Sequence, residues 1–145
     1  MKRALPFGLC LLLVVCAAAA ETPAPFVVIV NAENPVAAAS PAMISGLFLK
    51  RRGKWQSGLK PYPVDLVESS RVREAFSLQV LGQRTSEIEL YWQSAIFSGR
   101  DIPPPKKASE IEIVAFVAQH PGAIGYVSPA TPLAPRVKVL QVRKD

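Results

Sequence analysis

Phe26 to Val30 is an uninterrupted apolar run, β-branched at every position after the phenylalanine, and it stops at Asn31. A strand of that composition is apolar on both faces, so it must be covered on both. The chain supplies candidate helices to lie over such a sheet. It does so by cap: Ser40-Pro41 reads as an N-cap followed by proline at the first helical position, ahead of Met43, Ile44, Leu47 and Phe48 at helical spacing. Gly53 is the expected stop of that helix, and Lys50, Arg51, Arg52 and Lys54 crowd its end, where cations complement the negative pole of the helix dipole.

Further along, Trp55 and Gly58 fall in a turn, and Tyr62 to Leu66 reads as a second strand that Pro61 and Pro63 restrict to a sheet edge. Ser69 or Ser70 caps a helix that buries Val72, Ala75, Phe76 and Val80 and ends at Gly82. Ser86 and Glu89 have capping-box spacing for the next helix, with Ile88, Tyr91, Trp92, Ala95 and Ile96 as its apolar stripe. Asp101 to Lys107 holds three consecutive prolines and reads as a stiff extended connector. Ser109 and Glu112 repeat the box before Ile113, Val114, Phe116 and Val117, and His120-Pro121-Gly122 closes that helix. Ala123 to Val127 is a strand, and the alternation of Val137, Val139 and Gln141 against Lys138, Leu140 and Val142 predicts a last one. The order β, α, β, α, α, α, β, β predicts an α/β fold, a mixed sheet flanked by helices.

The first 20 residues read as a cleavable secretory signal: Lys2 and Arg3 form the basic region, Ala4 to Val15 the apolar region, and Ala17 to Ala20 the small residues before a cleavage placed after Ala20. Pro6 and Gly8 interrupt the start of a membrane-spanning reading, so no stable span is expected after cleavage. Lipid attachment at Cys16 is the alternative, though Val15 precedes it where a lipoprotein signal prefers a small side chain. The expected location is periplasmic or secreted, with one domain over residues 21–145. Both cysteines, Cys10 and Cys16, lie within the signal, so the exported domain has no thiol and core packing must hold it. Removing Lys2 and Arg3 lowers the formal charge from +6 to +4. A basic exported domain meets anionic solutes and envelope components, and nucleic acid is not an expected partner there.

The catalytic inventory is thin. His120 is the only histidine, at a helix end where capping and the dipole explain it. No metal site, Cys/His or Ser/His/Asp arrangement, P-loop or dinucleotide fingerprint emerges. The carboxylates Glu87, Glu89, Glu110 and Glu112 sit in first helical turns, where negative charge is favoured. The expectation is a protein that is not an enzyme and uses no cofactor. One pattern suits an anion: Ser69-Ser70-Arg71-Val72-Arg73 sets two hydroxyls and two guanidinium groups at a helix N-terminus, so Ser69, Ser70, Arg71 and Arg73 are the candidate ligands for an oxyanion such as phosphate. An ordinary serine cap followed by solvent-facing arginines explains the same spacing.

Three stretches also carry a family resemblance: Val27-Val28-Ile29-Val30-Asn31 with Asn34-Pro35; Ile44-Ser45-Gly46-Leu47-Phe48-Leu49 with Lys54-Trp55; and Pro121-Gly122-Ala123-Ile124-Gly125-Tyr126-Val127. Over residues 26 to 127 the chain resembles the phosphate-binding periplasmic proteins of ABC transporters. Those proteins close two α/β lobes on phosphate, and the resemblance implies a single lobe of a type 2 periplasmic-binding-protein-like fold. The family grips phosphate with an Arg, an Asp and a Ser-Gly-Thr run at a strand-to-helix junction. The matching segment here is Val64 to Arg71, with Ser69 at a ligand position, Asp65 in place of the arginine, Val67 in place of the acid, and Ser70-Arg71 in place of Gly-Thr. Two roles follow: an oxyanion-binding lobe, or an interaction or accessory protein that keeps the fold, discards the ligand and meets an envelope protein partner.

Overall fold

A computed structural model describes residues 25–144; the expected secretory signal, its expected cleavage point and both cysteines lie outside the described residues. Strand β1 (Val27–Asn31) is central, as its composition demands. It pairs antiparallel with both β6 (Ala123–Val127) and β7 (Val137–Val142), placing Val28 opposite Tyr126 on one side and Leu140 on the other. Two short parallel strands complete the edges, β2 (Ala38–Ala39) on β7 and β3 (Tyr62–Pro63) on β6, giving the order β2-β7-β1-β6-β3. The sheet is thus mixed and covered by helices.

The second strand expected over Tyr62–Leu66 is broken in two. Pro63 gives no N–H to a neighbour, and past it β4 (Asp65–Leu66) leaves the main sheet to pair with β5 (Lys106–Lys107), the end of the proline connector. Helix α1 (Pro41–Phe48) starts where expected, the Ser40 Oγ accepting the Met43 N–H at 3.3 Å. It does not run to Gly53: Lys50 adopts a left-handed φ of 54° and turns the chain first. Helix α2 (Arg71–Phe76) is capped by Ser70, widens into one π turn over Ser77–Leu81 and stops at Gly82, whose φ of 72° is the left-handed position glycine accepts without strain.

Helix α3 (Thr85–Phe97) begins two residues ahead of the expected box. Its start is held by the Glu87 carboxylate, which accepts the Arg84 N–H at 2.7 Å, so Ser86 and Glu89 form no box and Glu89 is free for other partners. Ile96 is correspondingly exposed, while Ile88, Trp92 and Ala95 are buried. Helix α4 (Glu110–Gln119) has the box as spaced, Ser109 Oγ with the Glu112 N–H at 3.3 Å and the Glu112 carboxylate with the Ser109 N–H at 2.9 Å.

Helix α4 lies against β6 at Gly125, where a Cβ would stand 2.7 Å from the Ile113 methyl. Asn31, at the end of β1, is buried and donates its amide to the Val117 and Ala118 carbonyls at 2.9 and 3.1 Å, satisfying acceptors that the end of α4 leaves open. On the other helical layer Phe76 stacks on Tyr126 at 3.9 Å and 7°, with Phe48 edging in at 4.8 Å from Phe76. In β7 the buried residues are Val137 and Leu140, so the strict alternation expected of that strand does not hold; Val139 is exposed.

Candidate functional site

The junction from β4 to α2 is the segment with a charged residue inside an apolar strand, Asp65 between Val64 and Leu66. A buried carboxylate needs partners. The Leu66 N–H supplies one at 3.0 Å and the Tyr126 hydroxyl, arriving from β6, donates another. The third is Arg73, one turn into α2 and only 1% exposed, whose Nη2 lies 3.2 Å from Asp65 Oδ2.

The same Nη2 reaches Glu89 Oε1 on α3 at 2.6 Å, and Nη1 is 3.9 Å from Glu68. Lys106 of β5 closes the ring, bonding Glu68 and, at 2.9 Å, Glu89 Oε2. Three acids thus face two cations. Arg73 Nε and Nη1 have no hydrogen-bond partner among the described residues.

Burial pushes the Asp65 carboxyl above its usual 3.8, against the opposing pull of Arg73, the Tyr126 hydroxyl, the Leu66 N–H and Lys106. Tyr126 is pushed up as well, by burial and then by the Asp65 charge. At the open edge the order reverses. Glu68 is held at about 2, chiefly by its hydrogen bond with Lys106. Lys106 is raised because its bonds to Glu68 and Glu89 outweigh the burial that disfavours its charge.

The four candidate ligands read from the sequence do not converge. Ser69 is exposed; the Ser70 Oγ accepts the Arg73 N–H at 3.2 Å and is thereby a cap; Arg71 points out and makes no salt bridge among the described residues. Arg73 turns inward onto the carboxylates. Sequence reading missed Glu68, Glu89, Lys106 and Tyr126, which come from the turn before α2 and from α3, β5 and β6. The one local signal was Asp65 itself, a charge in a strand with no partner at hand. Among the described residues no group of three His, Cys, Asp or Glu side chains is placed to hold a metal ion, and no helix is long and apolar enough to cross a membrane.

A sheet in this order, with a strand-to-helix junction beside β6, defines the class: one lobe of a periplasmic-binding-protein-like α/β fold. Among solved structures, the chain is similar to an ABC-type phosphate transport receptor from Vibrio cholerae, at 18% identity and TM-score 0.63 over 81% of this chain and 46% of that one. It is equally similar to a putative phosphate ABC transporter substrate-binding protein with bound phosphate from Clostridium perfringens, at 18% identity and TM-score 0.64 over 81% of this chain and 44% of that one. The chain therefore spans less than half the length of these neighbours. No family model and no curated protein matches its sequence.

Proposed function

We propose that this chain is an exported, single-lobe domain of the phosphate-binding-protein type that serves the cell envelope as an interaction or accessory module, periplasmic or secreted, without enzymatic activity. The observation that carries the reading is the hold of Asp65 and Glu89 on Arg73, at 3.2 and 2.6 Å. A guanidinium that already has two carboxylates is a poor anion grip, and with three acids around two cations the cluster has no positive excess of its own to draw in a phosphate dianion. The described lobe also offers one wall, so enclosing a solute requires an opposing surface from a second copy or another protein.

Calorimetry with phosphate and sulfate tests this: no saturable heat is expected. Crosslinking in envelope fractions should return a reproducible protein partner, and its failure across independent preparations would sink the interaction role. A second reading, weak oxyanion contact at Ser69, Ser70, Arg71 and Arg73, draws support from the exposed Arg71 beside the serines. A saturable phosphate heat that disappears on Arg71→Ala would establish it and displace the first.

A further inference from the structure

Consecutive residues of the proline connector face two different places: Lys106 joins the Arg73 cluster, while Pro105 lines a separate cleft at the start of β3. That cleft holds about 370 Å³, a size suited to a small molecule. Pro61, Tyr62 and Phe116 give it apolar walls, and Lys50, Arg52 and Lys60 bring cations to it. Its one carboxylate, Asp101, is taken by Lys50 at 3.3 Å. Neither Arg52 nor Lys60 forms a salt bridge among the described residues, so two uncompensated positive charges line the cleft, Lys60 against the Tyr62 ring.

These cations are positioned. The Arg52 stem lies across α1, its Cγ and Cδ 3.1 Å from where a Cβ on Gly46 would be, and the Arg52 N–H donates to the Gly46 carbonyl at 2.9 Å. Lys60 Nζ sits 5.3 Å from the centre of the Tyr62 ring, whose far neighbour is His120 at 5.5 Å, itself stacked on Phe116 at 4.4 Å. The negative pole of α1 lies at this end of the cleft and favours the cations gathered there, Lys60 reaching it from a different segment.

We infer that this cleft is a second binding site, for a small organic anion with a flat apolar body. The head pairs with Arg52 and Lys60, and the body lies on Pro61, Tyr62 and Phe116. The site is independent of the Arg73 cluster, and so of either reading of it.

Amide NMR titration with phenyl phosphate and with benzoate tests the site, using inorganic phosphate as the head alone and benzyl alcohol as the body alone. Saturable shifts confined to residues 50–63 and 116–122 are expected with both amphipathic anions. The double variant Arg52→Gln/Lys60→Gln, which keeps the packing stems, should weaken binding by about tenfold or more. The proposal is overturned by shifts that do not saturate, by equal affinity in the double variant, by benzyl alcohol binding as well as the anions, or by shifts centred on Ser69 to Arg73. The last outcome would speak for the oxyanion reading and not for this cleft.

Discussion

Replacing Arg73 by methionine separates a structural strut from a ligand group. Methionine keeps most of the apolar stem and removes the guanidinium, leaving Asp65 buried with the Tyr126 hydroxyl and the Leu66 N–H as its remaining partners. Breaking a buried pair on one side costs about 3–5 kcal/mol, because the surviving charge is stranded. The carboxyl has an escape: it can take a proton. Raising one carboxyl from its ordinary 3.8 to pH 7 costs about 4 kcal/mol, which caps the penalty, and the two retained hydrogen bonds argue for about 3 kcal/mol. The sign follows from the same escape. With a folded pKa raised above the unfolded one, the variant keeps its stability below 3.8 and loses it as pH rises, so the gap from the parent chain should narrow at pH 4. Urea unfolding of both chains at pH 7 and pH 4 measures it. A loss under about 1 kcal/mol at pH 7, or a gap that does not narrow at pH 4, would refute the view of Arg73 as a strut held by buried carboxylate.

Other expectations follow from single contacts. Gly122→Ala should cost about 3 kcal/mol or prevent folding, because its Cβ would stand 1.8 Å from the Lys60 carbonyl oxygen and β3 would have to move; denaturation midpoints check it. Ser109→Ala removes the α4 cap and should cost about 1 kcal/mol in urea unfolding, whereas Ser86→Ala, which caps nothing, should be close to neutral. Carbon-detected NMR should place the Asp65 carboxyl midpoint above 3.8, so that ionising it subtracts stability as pH rises through that midpoint. Glu68 should behave oppositely, held at about 2 first by Lys106, with stability present above its ordinary 4.5 and lost as pH falls toward 2.

Local chemistry is legible along a chain wherever the partners are close in sequence. The β-branched run at Val27–Val30 forms the central strand, Ser40, Ser70 and Ser109 are caps, and Gly82 is a stop, each decided within a few residues. Where two local solutions compete, the choice lies elsewhere. Ser86 and Glu89 have the spacing of a box, but Glu89 is claimed by Arg73 and Lys106, and Glu87 starts the helix instead. Lys50 ends α1 ahead of Gly53, and its side chain is tied to Asp101 across the fold.

The candidate site marks the same boundary most clearly. Ser69, Ser70, Arg71 and Arg73 look like one anion grip as text, because serines and arginines at a helix start offer donors whichever way they face. A helix turns each side chain by about 100° from the last, so Arg71 and Arg73 point in divergent directions. Which of them is buried depends on the sheet, α3 and the proline connector that surround α2. Residue order was enough for the central strand, the caps at Ser40, Ser70 and Ser109 and the α/β class, since those rest on backbone preference and apolar pattern over short spans. Only the packed fold could bring Asp65, Glu89 and Tyr126 to Arg73, because a charge enters a core only where residues distant in sequence meet it with opposite charge and hydrogen bonds.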